Sequence, residues 1–161
     1  MIVIVMGVSG SGKTTVAAQL ARELGWKFLD ADSFHSAANV AKMHAGIPLD
    51  DADRAPWLEA LRREIERSLA RAENLVIACS ALKDSYREQL LIDSSVRLVY
   101  LRSTLEVLRQ RLKLRKGHFM TEQLLASQLE TLEEPADAVT VDVEHPVDEI
   151  VAEIREHLGL R

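Results

Sequence analysis

The sequence has little of what would cross-link a chain or anchor it in a membrane. Cys79 is the only cysteine among 161 residues, so no disulfide can form within the chain. The apolar run over residues 1–6 is interrupted by Gly7, and we judge it too short for a signal peptide or a membrane span. We therefore expect a cytoplasmic protein without a membrane partner, whose single domain buries an ordinary core.

Basic residues are also in the minority, with 20 Lys and Arg against 25 Asp and Glu and a formal net charge of -5. Proteins that bind nucleic acid in general present a basic face that neutralises phosphates, so we expect no nucleic-acid partner. Positive charge is concentrated in one segment, where Glu106 is the only acid between Arg102 and His118. The basic residues of that segment are Arg102, Arg109, Arg111, Lys113, Arg115 and Lys116.

What the chain does contain is a phosphate-binding loop. Residues 7–14 read GVSGSGKT, which matches the pattern G-x-x-x-x-G-K-[ST]. The loop lies between an apolar strand-like run and a helical pattern, which is the context that the motif requires. Its glycines let backbone N–H groups approach a triphosphate, Lys13 would reach the β and γ phosphates, and Thr14 would bind Mg²⁺. We predict ATP and Mg²⁺ as ligands, with nucleotide contacts from Gly7, Ser9, Gly10, Ser11, Gly12, Lys13, Thr14 and Thr15.

Four further apolar runs alternate with helical patterns, at residues 27–29, 75–79, 96–101 and 139–143. Such alternation predicts an α/β three-layer sandwich with a five-stranded, mainly parallel sheet. We expect one domain over residues 1–161. Pro56 suits the first position of a helix over residues 56–72. The other predicted helices cover residues 14–24, 37–44, 85–91, 105–116, 122–132 and 147–158.

Two carboxylates follow the second predicted strand. In an extended segment, Asp30 and Asp32 project in the same direction, from the strand end at which open α/β sheets bind ligands. Beside a triphosphate, such a pair could hold Mg²⁺ through water and accept the proton of an attacking hydroxyl. We take Asp30 as the carboxylate that contacts Mg²⁺ through water. The alternative for D-x-D alone is a solvated acidic turn or a helix cap.

The chain lacks the signature of switch-type ATPases and GTPases, in which an apolar strand ends in an Asp for Mg²⁺. Residues 75–79 run into Ser80 and residues 96–101 run into Arg102, and there is no Asn-Lys-x-Asp for guanine. This favours phosphoryl transfer to a small metabolite. Cations at Lys42, Arg54, Lys83 and Arg87 would suit an anionic acceptor, although each alone is more often a solvated surface residue.

Five segments in this order resemble the gluconate kinase family over nearly the whole chain: GVSGSGKTT, LDADSFH, NVAKMHAGIPLDDADRAPWL, CSALKDSYR and RKGHFMTEQLLASQLETLEEP. Members of that family phosphorylate the 6-hydroxyl of gluconate with Mg·ATP. The resemblance implies a P-loop fold like that of nucleoside-monophosphate kinases, a substrate-binding region at about residues 35–60 and a lid at about 110–125. It also implies Asp32 as the base. The implied substrate contacts are Asp32, His35, Asn39, Lys42, Arg54, Lys83, Arg87, His118 and Gln128.

The basic segment is the predicted lid. Arg111 and Arg115 are four residues apart, so on a helix they face the same way and could clamp the transferred phosphates as catalytic partners of Lys13. The alternative is a solvated basic helix face. The chain departs from the family pattern in two places: Leu91 stands where an Arg is usual, and the region between Pro135 and Val139 is short.

The sequence therefore predicts an ATP-dependent gluconokinase that makes 6-phosphogluconate. A small-metabolite kinase of the same fold that acts on a substrate such as shikimate is one alternative. Such a family would usually have a Gly-rich turn after the third strand, where residues 79–83 read CSALK. A non-catalytic ATP-binding regulatory module is the other alternative. A homodimer is left open.

Overall fold

A computed structural model describes residues 1–114 and 122–161. At its centre is one five-stranded sheet with the strand order β2-β3-β1-β4-β5, and every pair of neighbouring strands is parallel. The predicted parallel α/β fold is confirmed. The strands are β1 (Ile2–Met6), β2 (Lys27–Asp30), β3 (Leu75–Cys79), β4 (Val96–Arg102) and β5 (Val139–Asp142).

The central strand β1 is buried along its whole length because it pairs with β3 and β4 and is covered on both faces. Its residues alternate between the two faces, as strand geometry requires. Ile2, Ile4 and Met6 belong to one apolar core, whereas Val3 and Val5 belong to the other. An unbroken apolar run is therefore what this position in the sheet demands.

Helices cover both faces of the sheet and complete the three-layer sandwich. Trp57, Leu61 and Tyr86 of α3 and α4 belong to the core on one face. Leu20 and Ile154 of α1 and α7 belong to the core on the other face. The helices are α1 (Lys13–Leu24), α2 (Ala37–His44), α3 (Asp51–Ala70), α4 (Asp84–Leu90), α5 (Leu105–Leu114), α6 (Glu122–Thr131) and α7 (Val147–Leu158).

The third helix begins earlier than the sequence predicted. Asp50 accepts a hydrogen bond from the backbone N–H of Asp53 at 2.7 Å, and the Asp53 carboxylate accepts one from the Asp50 N–H at 3.1 Å. This reciprocal capping box satisfies two N–H groups that a helix start leaves open, so α3 begins at Asp51. Pro56 then lies in the second turn, where it leaves the Ala52 carbonyl without its helical donor. The expectation that Pro56 is the first residue of the helix was wrong.

Helix α3 has 20 residues and carries acidic and basic side chains along its length. Within residues 1–114 and 122–161, no helix combines the length and the apolar character that a membrane crossing needs.

A third apolar cluster lies at the carboxyl end of the sheet. It consists of Val8, Leu82, Leu108, Leu124 and Leu125, all of which are buried. Leu108 comes from α5, and Leu124 and Leu125 come from α6. The phosphate-binding loop, through Val8, therefore packs against the two helices that flank residues 115–121.

The end of α3 gives a stability prediction. Ala72 follows the helix with φ 53°, in the left-handed region that favours glycine, and it is exposed. Ala72→Gly should raise the free energy of unfolding by about 0.5–1 kcal/mol because it removes the steric cost of that conformation. Urea unfolding would measure the change. Ala70→Gly, inside the last turn of α3, is the matched control and should destabilise. Equal loss of stability in both variants would contradict the prediction.

Candidate active site

The loop between β1 and α1 encloses a polar cavity lined by Ser9, Gly10, Gly12, Lys13, Thr14, Thr15 and Asp32. Gly10 and Gly12 adopt φ values of 85° and 89°, which other residues rarely do. Helix α1 starts directly after Gly12, and neither a side-chain cap nor an acidic residue is present in its first turn. The free N–H groups and the positive end of the helix dipole therefore favour an anion in this cavity.

The phosphate-binding loop fits a nucleoside triphosphate with Mg²⁺. A Cβ atom on Gly7 would lie 2.5 Å from Ser11 Oγ and 3.3 Å from the Leu101 carbonyl oxygen, so the loop depends on glycine there. The Ser11 hydroxyl is buried and has no hydrogen-bond partner in the part of the chain that the structure describes. Lys13 and Thr14 stand side by side at the start of α1, the arrangement that suits a phosphate and its metal ion.

The two carboxylates after β2 do not lie as an extended segment would place them. Residues Ala31–Phe34 form a short 3-10 helix, and Asp30 caps it by accepting a hydrogen bond from the Asp32 N–H at 2.9 Å. The inference that Asp30 and Asp32 project side by side was wrong, because the Asp30 side chain bonds to its own backbone neighbour instead. Asp32 lines the phosphate cavity, whereas Asp30 is not among its lining residues. The metal role of Asp30 stays a prediction.

Beyond Asp32, two predicted substrate residues link three elements. The His35 ring stacks on Trp57, with ring centroids 4.5 Å apart and planes 10° apart. Asn39, which is buried on α2, donates to the Asp53 carbonyl oxygen at 2.8 Å and lies 3.2 Å from His35 Nδ1. Burial lowers the pKa of His35, so the ring is held neutral. His35 and Asn39 thus connect the 3-10 helix, α2 and α3, and their predicted substrate contacts stay predictions.

The Lys42 side chain forms an ion pair with Asp53. Its Nζ atom lies 2.9 Å from both carboxylate oxygens of Asp53. The hydrogen bond from Lys42 holds the pKa of Asp53 below its usual range, and the same bond raises the pKa of Lys42. The pair links α2 to the start of α3. Its contribution to stability is small because the Lys42 side chain is 40% exposed to water.

Arg54 and Lys83, both predicted to bind substrate, come together around Tyr86. Arg54 donates to the Tyr86 hydroxyl at 3.1 Å, and each cation lies 5.6 Å from the centroid of the tyrosine ring. Asp51 accepts hydrogen bonds from the Tyr86 hydroxyl and from Lys83, the latter at 3.0 Å. These bonds lower the pKa of Asp51, with the tyrosine contributing most. The four residues form a cluster with two cations and one carboxylate.

Sequence reasoning missed Asp51 and Tyr86 as members of this cluster. Asp51 lies three residues before Arg54 on α3, a spacing that places side chains on one face of a helix, and Tyr86 lies three residues after Lys83, which directly precedes α4. That spacing was the available signal. It could not reveal that the two helix starts face each other, because the contact spans residues far apart in the chain.

Arg87 has a different environment from the one predicted. Its side chain is 4% exposed, and it donates to the carbonyl oxygens of Ala81 and Glu133, both at 2.7 Å, and to the Asp84 carboxylate. The guanidinium therefore ties the loop after β3 to the segment after α6. Leu91, where the family usually has Arg, lines a groove beside Arg87. The structure gives the predicted substrate role of Arg87 no support.

Arg111 and Gln128 both contact the backbone of the phosphate-binding loop. Arg111 donates to the carbonyl oxygens of Gly10 and Val143, each at 3.0 Å. Gln128 accepts a hydrogen bond from the backbone N–H of Ser9 at 2.7 Å. Gln128 therefore lies at the nucleotide loop, although a substrate contact was predicted for it. Arg115 and His118 lie outside the described residues, so their predicted roles stay predictions, as does the predicted lid at about residues 110–125.

Comparison with known proteins identifies the family. A family model described as an AAA domain matches residues 2–135. The gluconokinase of Gluconobacter oxydans is 46% identical, over 96% of this chain and 89% of that protein. The chain belongs to the gluconokinase family. The thermoresistant gluconokinase of Escherichia coli is 43% identical, over 94% of this chain and 89% of its own length. The resemblance inferred from the motifs is confirmed.

Solved structures agree with this membership. A gluconokinase from Sinorhizobium meliloti superposes with a TM-score of 0.87 at 44% identity, over 98% of this chain and 90% of that one. An unliganded sugar kinase from Janibacter gives a TM-score of 0.92 at 42% identity, over 99% and 94%. Shikimate kinase from Aquifex aeolicus, at 20% identity and a TM-score of 0.61, shares the fold alone. The predicted P-loop kinase fold is confirmed.

The neutral His35 ring predicts a pH dependence of stability. Because burial lowers the pKa of His35 in the folded protein, the unfolded chain binds this proton more readily below about pH 6.5. Lowering the pH from about 7.5 to about 5.5 should therefore destabilise the parent protein relative to His35→Phe, which keeps an aromatic stack but cannot titrate. Urea unfolding of both proteins across that range would measure the difference.

His157→Phe, at an exposed position on α7, is the control for loss of a histidine. The difference in unfolding free energy between the parent and His157→Phe should not show the pH dependence expected for His35→Phe. A parent-to-variant difference for His35→Phe that stays constant with pH would contradict a lowered pKa of the half-buried His35 ring.

Proposed function

We propose that this protein is a cytoplasmic ATP-dependent gluconokinase, which transfers the γ-phosphate of ATP to the 6-hydroxyl of D-gluconate and releases 6-phosphogluconate. One observation carries the proposal. Asp32 lines the phosphate cavity together with Lys13 and Thr14, in a chain whose relatives over nearly the full length are gluconokinases. A carboxylate at the edge of a phosphate cavity is what transfer to a hydroxyl group requires.

The nucleotide half of the site is the loop and the start of α1. Backbone N–H groups of Gly10 and Gly12 and the Lys13 ammonium would hold the phosphates. Thr14, with Asp30 through water, would hold Mg²⁺, which when bound neutralises charge that develops on the phosphate oxygens. Lys13 spreads the same charge from the protein side. Arg111 and Arg115 are proposed to add positive charge from the lid.

The acceptor half is the region between Asp32 and the cluster of Arg54, Lys83, Tyr86 and Asp51. The pKa of His35 responds to both ends, since the Asp32 carboxylate raises it and the Arg54 guanidinium lowers it, each less than burial does. His35 is therefore close enough to both Asp32 and Arg54 for their charges to affect it. A sugar acid bound with its carboxylate at Arg54 and Lys83 could direct the far end of its chain toward Asp32. Asp32 would then accept the proton of that hydroxyl.

The first functional prediction concerns the acceptor. Gluconate should stimulate ADP formation in the presence of Mg²⁺, and glucose should be a far poorer acceptor because it lacks the carboxylate that Arg54 and Lys83 would bind. A coupled ADP assay over a panel of sugar acids, glucose and shikimate would measure this. Arg54→Met should reduce the difference between the rates of ADP formation with gluconate and with glucose. Stimulation by shikimate instead of gluconate would favour the related kinase, and ATP binding without any product would favour a regulatory module.

The second functional prediction concerns the base. Asp32→Asn should keep ATP binding but lower kcat by roughly 100-fold or more, the usual range for losing a positioned general base. Steady-state kinetics beside an equilibrium nucleotide titration would separate the two effects. Asp30→Asn is the matched comparison, because the amide oxygen can still cap the 3-10 helix, and its effect on kcat should be smaller. Near-normal kcat in Asp32→Asn would show that this carboxylate is not the base.

A further inference from the structure

The outer turn of the phosphate-binding loop is a β-turn over residues 8–11. The Ser11 N–H donates to the Val8 carbonyl oxygen at 3.1 Å, and Gly10 has the positive φ that the third position of a type II turn requires. That single hydrogen bond leaves the N–H of Ser9 and the carbonyl of Gly10, among the inner groups of the turn, without a partner inside it. Both groups find partners on neighbouring helices.

The helices α5 and α6 hold this turn at three consecutive residues. Val8 is 3% exposed and packs in the apolar cluster formed with both helices. Gln128, on α6, accepts from the Ser9 N–H at 2.7 Å, and Arg111, on α5, donates to the Gly10 carbonyl oxygen at 3.0 Å. One contact supplies an acceptor and the other a donor. Together they fix the rotation of the two peptide groups that border the Ser9–Gly10 peptide.

We propose that Gln128 is a positioning residue for the nucleotide, which acts through Ser9 and does not touch gluconate. Its hydrogen bond sets the turn in one orientation before the nucleotide arrives, so the remaining N–H groups of the cavity need no rearrangement on binding. Ser9 and Gly10 both line that cavity. The proposal rests on the proposed function only in taking the cavity as the nucleotide site.

The chemistry of the side chain fits this role. An amide oxygen accepts from a backbone N–H without adding charge, whereas a carboxylate at the same place would repel the phosphates of a nucleotide. The bond is half-buried and links residues 119 positions apart, so it is a tertiary contact that local folding of the loop does not supply. Loss of this acceptor would leave the partly buried Ser9 N–H without its protein partner, at a cost of about 1 kcal/mol.

The first test uses the protein without nucleotide. In Gln128→Met, a side chain of similar length without the acceptor, the Ser9 amide should exchange with solvent at least about tenfold faster, because its hydrogen bond is lost. Amide hydrogen exchange followed by NMR would measure this. Gln123→Met, at an exposed position on the same helix, is the matched control and should leave Ser9 exchange unchanged. Unchanged exchange in Gln128→Met would overturn the proposal.

The second test separates nucleotide from gluconate. Equilibrium titration with ADP and with a non-hydrolysable ATP analogue should show affinity lowered about five- to tenfold in Gln128→Met, the loss expected for one hydrogen bond. The KM for gluconate should stay at the parent value. Gln128→Asn, whose shorter side chain cannot span the gap, should behave in the same way, and it keeps the position polar should the methionine variant fold poorly.

The two tests distinguish a role of Gln128 in nucleotide binding from a role in gluconate binding and from a purely structural role. A raised KM for gluconate with unchanged nucleotide affinity would make Gln128 a substrate contact and overturn the proposal. Faster Ser9 exchange with unchanged nucleotide affinity would also overturn it, because the bond would then be structural only. If the parent protein did not phosphorylate gluconate, the proposed function would fail, yet the exchange and titration results would still decide the role of Gln128.

Discussion

The rest of the structure depends on the burial of β1 between β3 and β4. Hydrogen bonds on both edges and apolar cores on both faces hold this strand, so the point at which the phosphate-binding loop begins is fixed by the strongest part of the fold. Because all five strands are parallel, the segments that follow β2 and β3 begin at the same edge of the sheet as that loop. Asp32 reaches the phosphate cavity for this reason.

The fold and the nucleotide loop could be predicted from sequence because both are encoded locally, in apolar runs, helical spacing and one continuous motif. The two segments that were predicted wrongly also depend on residues close together in the chain. Their conformation is set by side chains that form hydrogen bonds with the backbone. Asp50 starts α3 before Pro56, and Asp30 turns the segment after β2 into a 3-10 helix. Short acidic residues compete with regular backbone hydrogen bonding, and a pattern of polarity does not reveal which alternative prevails.

The cations of the site illustrate what sequence cannot decide. Lys42, Arg54, Lys83 and Arg87 all look alike as charges in a pattern, yet the structure separates them by their partners. Lys42 pairs with Asp53, and Arg87 is buried among carbonyl oxygens. Arg54 and Lys83 share Tyr86 instead, on a face where their charge is only partly offset by Asp51. Arg54 and Lys83 find their partners 32 residues away in the chain, so only the tertiary fold shows which partner each of these cations has.

The register of β1 has a consequence for the order of folding. Ile2 pairs with Leu75 on one side and with Val96 on the other, so β1 gains its first neighbour only with β3 and its second only with β4. Closing such long loops costs entropy before any pairing compensates for it. The loop that follows β1 therefore owes its fixed starting point to strands that lie more than 70 residues further along the chain.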